Sequence, residues 1–198
     1  MGVEPRRRVA EAEYLALEAS ADVRHEWVDG EMLARAGGSD RHNVIAVNLV
    51  GELRNRLRGG PCQPFGSDQR HHVTATGLYT YPDALVRCRD LERPDAAART
   101  RVVFEVLSAS TEAWDRGQKF AHYRADPDIE EYVLVSQRAR RVEHFRRVDV
   151  GRWTLTLYGP GDDVALPALG IALPVDEIYL GAAAERSDAP DPDDDPLP

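Results

Sequence analysis

Two cysteines in 198 residues, Cys62 and Cys88, are too few for a disulfide framework and stand in no CxxC or other metal spacing. They read as reduced thiols of a cytoplasmic protein. No run of about 18 apolar residues is present, so no membrane-spanning segment is expected. The start, Met1 to Arg8, is basic but has no apolar segment of the kind a secretory signal carries. It also lacks the Ser or Thr of a myristoylation signal. P-loop, GxGxxG, GxSxG and zinc signatures are missing, which removes the commonest nucleotide-binding, serine-hydrolase and zinc-enzyme readings. Positive charge is scarce as well. The net charge is −9, of which residues 185–198 carry −5. A folded part near −4 is not that of a protein that coats nucleic acid through bulk electrostatics. Contacts with nucleic acid would be local, through Arg138, Arg140, Arg141, Arg146 and Arg147, or be helped by a bound metal.

What is present reads as one α/β domain around a mixed sheet. Residues 9–20 form a short helix with Tyr14, Leu15 and Leu17 as its apolar side. His25 to Leu33 reads as a hairpin turning at Asp29-Gly30, a pair suited to a two-residue type I′ turn. In that register Glu26, Val28, Glu31 and Leu33 share a face. Ser39 or Asp40 caps a helix running to Leu57, with Val44, Ile45, Val47, Leu49, Val50, Leu53 and Leu57 as its core stripe. Strands follow at 62–74, 79–88 and 100–107, then a helix over 112–124 and strands at 131–136, 141–148 and 153–158. Residues 163–180 form a last extended stretch. This places a flexible start at 1–8, a single domain at 9–181 and a disordered Pro/Asp-rich tail at 182–198.

The chemistry concentrates in two strand carboxylates. Glu105 lies in the apolar run Val102 to Leu107, and Asp83 follows Pro82 at the start of another strand. An ionised side chain inside a buried strand is costly unless a cation or hydrogen bonds compensate it. Magnesium takes oxygen ligands, keeps several waters and typically uses one or two carboxylates. Asp83 and Glu105 on neighbouring strands, with the Val106 carbonyl as a third oxygen, suit such an ion. Otherwise Glu105 is simply half of a buried ion pair with an arginine. Asp115, Lys119 and Tyr123 recur at a spacing of four on the next helix. They form either an exposed pair of a few tenths of a kcal/mol or a face turned to the carboxylates. Lys119 lies roughly 11 Å into its helix and Glu105 roughly 7 Å back from its strand end. A helix folded over the strand therefore brings the two to similar depth. There Lys119 would orient or deprotonate water and offset phosphate charge. His42 is either a partly exposed polar residue of the first helical turn or a phosphate contact or proton shuttle facing the same cleft. Glu26 and Glu31 are further carboxylates that hairpin solubility explains equally well. His71 and His72 point to opposite faces of a strand and make a poor metal pair.

The series from Glu26-Trp27-Val28-Asp29-Gly30-Glu31 through His42, Pro82-Asp83, Glu105 to Thr111, Asp115 to Tyr123 and Glu130 to Val135 resembles the Uma2 family. These are restriction-endonuclease-like proteins of the PD-(D/E)XK superfamily, and the resemblance covers residues 11–180. It implies a restriction-endonuclease-like core, a central mixed sheet flanked by helices with an N-terminal helix and hairpin. The activity implied is Mg²⁺-dependent hydrolysis of DNA, with Mn²⁺ able to substitute. Asp83 and Glu105 take the metal-carboxylate positions. The superfamily's lysine two residues after the glutamate is Leu107 here, and Lys119 on the following helix takes its place. A homodimer is implied by analogy, since cutting both strands together needs two sites. The missing local lysine and acidic surface leave open a non-catalytic interaction module, and an enzyme for small phosphorylated or nucleotide substrates is a third reading.

Overall fold

The computed structural model describes residues 8–35, 37–93 and 95–182. The basic start before Arg8 and the acidic tail after Ala182 therefore lie outside the described residues. α1 (Glu11–Glu18) turns Tyr14 and Glu18 inward, while Leu17, expected on its apolar side, is exposed. Glu18 is compensated by the Tyr81 hydroxyl at 2.8 Å and the His25 backbone N–H at 3.0 Å. β1 (His25–Val28) and β2 (Glu31–Ala34) form the hairpin, with Glu26 opposite Leu33 and Val28 opposite Glu31. Asp29 and Gly30 take φ of 51° and 87°, the two left-handed conformations a type I′ turn needs. Ser39 Oγ accepts from the His42 N–H at 3.2 Å and so caps α2 (Asp40–Leu57). Ile45, Leu49, Leu53 and Leu57 bury one stripe of α2, whereas Val47 is 71% exposed and lies outside it.

Two runs expected as single strands each divide between two sheets. Residues 62–74 become β3 (Cys62–Gly66) and β4 (His71–Val73), and residues 79–88 become β5 (Leu78–Thr80) and β6 (Ala84–Cys88). The second break falls at Pro82, which has no N–H to give to a ladder. The four-stranded sheet is ordered β2-β1-β5-β4. With β7 (Arg99–Leu107), β8 (Glu131–Ser136), β9 (Val142–Asp149) and β10 (Arg152–Tyr158), the central sheet runs β10-β9-β8-β7-β6-β3. It is mixed, because β7 and β8 pair in parallel while its other pairs are antiparallel. Parallel neighbours need a crossover, built from α3 (Glu112–Trp114), a π-helical turn (Asp115–Lys119) and α4 (Phe120–Ala125). The uniform helix expected over 112–124 is thus interrupted by one wider turn. Residues 163–180 are not one extended stretch but a hairpin, β11 (Asp163–Leu166) and β12 (Ile171–Pro174), followed by α5 (Val175–Ile178).

Alternation along β7 sorts the core into two sides. Val102, Phe104 and Val106 pack with Ile45, Leu49 and Leu53 of α2 and with Val164 and Leu173 of the last hairpin. Val103 and Leu107 pack with Phe120, Tyr123 and Ile129 on the other side. Glu105, of the same parity as Val103 and Leu107, points to that second side. Cys62 and Cys88 are direct cross-strand partners, with Cα atoms 4.0 Å apart, and are joined by a disulfide. The two thiols expected to be free are therefore bonded. Register brings together residues 26 apart in sequence, which the cysteine count alone does not reveal. No helix among the described residues is long and apolar enough to cross a membrane.

Candidate active site

The antiparallel pairing of β6 with β7 sets Ala84 opposite Phe104. One step further along the same register, Asp83 faces Glu105. Like charges directly opposite each other are unfavourable, and both residues are buried, at 4% and 2% exposure. Each finds a different compensation. Asp83 Oδ2 accepts the Val106 N–H at 2.8 Å, and its Oδ1 lies 2.8 Å from Arg35 Nη2 and 3.3 Å from His42 Nε2. Burial raises the Asp83 pKa, but these donors together hold it below the usual carboxylate value. Gly38 permits the His42 contact, since a Cβ there would lie 2.5 Å from the imidazole ring.

Glu105 Oε1 accepts from the Tyr123 hydroxyl at 2.9 Å and from Lys119 Nζ at 2.9 Å. Lys119, itself 3% exposed, also reaches Glu26 Oε1 at 2.9 Å and Asp115 Oδ1 at 3.5 Å. One ammonium is thus shared by three carboxylates. Burial, together with the negative charge of Asp115, Asp83 and Glu26, pushes Glu105 up to about 8 in spite of Lys119. Asp115 is raised as well, first by burial. Burial alone would lower the lysine, but Glu105, Glu26 and Asp115 raise it well above its ordinary value. In this arrangement the three carboxylates favour the charged form of Lys119. It is also the only lysine in the chain.

Glu26 enters from the other sheet. β1 pairs with β5 through Trp27 and Tyr79, so Glu26 faces Thr80, whose hydroxyl donates to Glu26 Oε1 at 2.5 Å. Trp114 Nε1 donates to Oε2 at 3.3 Å. Burial raises Glu26, yet Lys119 and Thr80 outweigh it and the pKa falls below the usual value. The cluster lines a cleft of about 580 Å³, edged by Ser108, Ser110 and Thr111. Size does not single this cleft out: a groove of about 780 Å³ lies by Arg99, Arg101 and the Cys62–Cys88 bridge, at the other end of β7. The buried charge cluster is what distinguishes the smaller one.

A family model described as "Putative restriction endonuclease", Uma2, matches residues 11–176. The chain belongs to the Uma2 family. An uncharacterized protein of Synechocystis sp., slr1290, is 37% identical over 181 residues, covering 90% of this chain and 95% of its own length. A second from the same organism, sll1609, is 35% identical over 149 residues, 73% of this chain and 84% of its own. In fold, the chain is similar to a crystal structure from Anabaena variabilis described as a putative nuclease belonging to DUF820. That match has a TM-score of 0.69 at 14% identity and covers 87% of this chain and 98% of the other.

The oxygen-rich donor set of this Uma2 protein fits a hard divalent cation. Among the described residues no three His, Cys, Asp or Glu side chains converge closely enough to hold an ion by themselves. Two carboxylates and a carbonyl are nonetheless an ordinary protein contribution for magnesium. The two backbone polar groups of a strand residue face the same neighbour, so the Val106 carbonyl is directed, like its N–H, toward the Asp83 side. Asp83, Glu105, Lys119, Glu26, Asp115, Tyr123 and His42 are thus brought together. Glu31 is not: it shares the hairpin face of Glu26 but is exposed at the turn.

Arg35, Thr80 and Trp114 escaped the sequence reading. Thr80 follows from the β1–β5 register, and neither Arg35 nor Trp114 has a spacing signal. Several arginines held in reserve for nucleic acid are committed elsewhere. Arg147 donates to the carbonyls of Ile129, Arg124 and Asp126 and stacks on Trp153, and Arg140 pairs with Asp176 at 3.3 Å.

Proposed function

We propose that this Uma2 protein is a Mg²⁺-dependent endonuclease that hydrolyses DNA phosphodiester bonds. Mn²⁺ is able to substitute, and a homodimer presents one site to each strand. The observation that carries this reading is the facing pair Asp83 and Glu105 with Lys119 2.9 Å from Glu105. Asp83, Glu105 and the Val106 carbonyl would hold the ion, whose contribution is a Lewis acid beside the scissile phosphate and a more acidic water. Tyr123 and Lys119 hold the Glu105 carboxylate in place at Oε1. Glu26 and Asp115 keep Lys119 protonated, as a charge that offsets the phosphate and orients the attacking water. His42 braces Asp83. The cytoplasm, where DNA lies, is the proposed compartment, although the Cys62–Cys88 bridge is more usual in oxidising surroundings.

The test is a calorimetric titration of Mn²⁺ into wild type, Asp83→Ala and Glu105→Ala, with cleavage of supercoiled and linear DNA in Mg²⁺ alongside. Both variants should lose Mn²⁺ binding and cleavage together. Undiminished Mn²⁺ binding in both would sink the metal site. The three carboxylates around Lys119 favour a second reading, a non-catalytic module in which the lysine only neutralises buried charge. That reading is supported if wild type binds Mn²⁺ at Asp83 and Glu105 yet cleaves no nucleic acid.

A further inference from the structure

Asp83 has one oxygen it cannot readily turn and one that it can. Oδ2 is bonded to the backbone N–H of Val106, which β7 fixes in place. Oδ1 is held by side chains alone, Arg35 Nη2 at 2.8 Å and, more loosely, His42 Nε2 at 3.3 Å. Glu105 and Glu26 attract the guanidinium without bonding it, and its other hydrogen bond among the described residues is weak: Nη1 reaches the Ser67 carbonyl at 3.4 Å, near the limit of a hydrogen bond. The Arg35 side chain is 25% exposed, against 5% for Asp83, so it has room to leave. A divalent ion at Oδ1 and a guanidinium at the same oxygen repel each other strongly in a site shielded from water. They are alternatives rather than neighbours.

We infer that Arg35 is a stand-in cation, which occupies Asp83 Oδ1 until a divalent ion takes that oxygen and then turns its guanidinium to a phosphate of the substrate. The inference rests on the metal-dependent nuclease reading. It explains why a cleft with four buried carboxylates carries an arginine on the oxygen its metal would need. It also supplies a phosphate partner in a cleft whose only lysine is bound by carboxylates. The arginine fork suits that second position, because its planar donors match phosphate oxygens in pairs. Arg35 is thus a residue of exchange: it lowers the affinity of the empty site for metal and raises the affinity of the loaded site for DNA.

The full chain is titrated calorimetrically with Mn²⁺ as wild type, Arg35→Met and Arg35→Lys. Binding of a short DNA duplex is followed by fluorescence anisotropy in Ca²⁺, used as a non-cleaving ion. Arg35→Met should bind Mn²⁺ about tenfold more tightly and the duplex about tenfold more weakly, each about 1.4 kcal/mol, with Arg35→Lys between it and wild type. An arginine that merely supports the fold would move Mn²⁺ affinity the other way, together with the melting temperature. Unchanged or weaker Mn²⁺ binding by folded Arg35→Met overturns the inference, as does unchanged duplex affinity. Should Arg35→Met fail to fold, Arg35→Gln keeps a neutral donor for Asp83 and must show the same gain in Mn²⁺ affinity. Mn²⁺ binding that depends on Asp83 but gains nothing from Arg35→Met removes the role of Arg35 alone. Mn²⁺ binding unaffected by Asp83→Ala removes the nuclease site and the inference with it.

Discussion

Replacing Lys119 with methionine keeps the length of the side chain and removes the charge that three buried carboxylates share. Glu26, Glu105 and Asp115 are each 6% exposed or less, so solvent screens them little. Removing one partner of a buried ion pair costs about 3–5 kcal/mol, because the other charge is left uncompensated. Glu105, near 8 with the lysine present, is already largely protonated at pH 7 and loses little there. Most of the cost then falls on Glu26 and Asp115. Without Lys119 all three folded-state pKa values lie above the unfolded value of about 4, so the folded variant binds more protons than its unfolded chain. Stability contributed this way is complete below about pH 4 and is lost as pH rises through the folded values. The gap between wild type and Lys119→Met should therefore be small near pH 5 and reach about 3–5 kcal/mol above pH 8. For a protein of this size that is a fall of about 6–20 °C in melting temperature. Thermal unfolding followed by circular dichroism at pH 5, 7 and 8.5 measures it. A gap below about 1 kcal/mol at pH 8.5, or one independent of pH, would refute the shared-cation account.

A metal ion at Glu105 has to displace a proton at any pH below about 8. Mn²⁺ affinity should therefore climb from pH 6 to pH 8 by up to about tenfold per unit and then level. Calorimetry in two buffers of different ionisation heat counts the released proton, and a flat profile would contradict the assigned state of Glu105. The Cys62–Cys88 bridge closes a loop of 26 residues in sequence separation, and chain entropy assigns it about 3–4 kcal/mol. Cys88→Ser should melt about 6–16 °C lower, and unreduced wild type unfolded in denaturant should show no free thiol. Arg147→Ala removes the donor to three carbonyls, two of them part-buried, and should cost about 1–3 kcal/mol in urea unfolding. The salt dependence of DNA binding should not change, because this guanidinium faces the protein.

The chain's own local codes determined a good part of this protein. Asp29-Gly30 specified the hairpin turn, since both residues tolerate positive φ. Ser39 and the four-residue spacing of Ile45, Leu49, Leu53 and Leu57 specified α2. The parity of the Val102–Leu107 run put Glu105 on the face of Val103 and Leu107, and simple depth along helix and strand put Lys119 level with it. Those features depend on neighbours a few residues apart. Register between distant strands is different, because nothing local to Glu26 selects Thr80 and nothing local to Cys62 selects Cys88. The split of two apparent strands between two sheets has the same origin, with Pro82 the one local sign of it. Tertiary structure alone decided that Lys119 is shared three ways on a π-helical turn, that Arg147 is structural, and that Arg35 covers Asp83. Each of those outcomes is set by which polar groups are left together when water is excluded, and that depends on chain segments as far apart in sequence as Glu26 and Lys119.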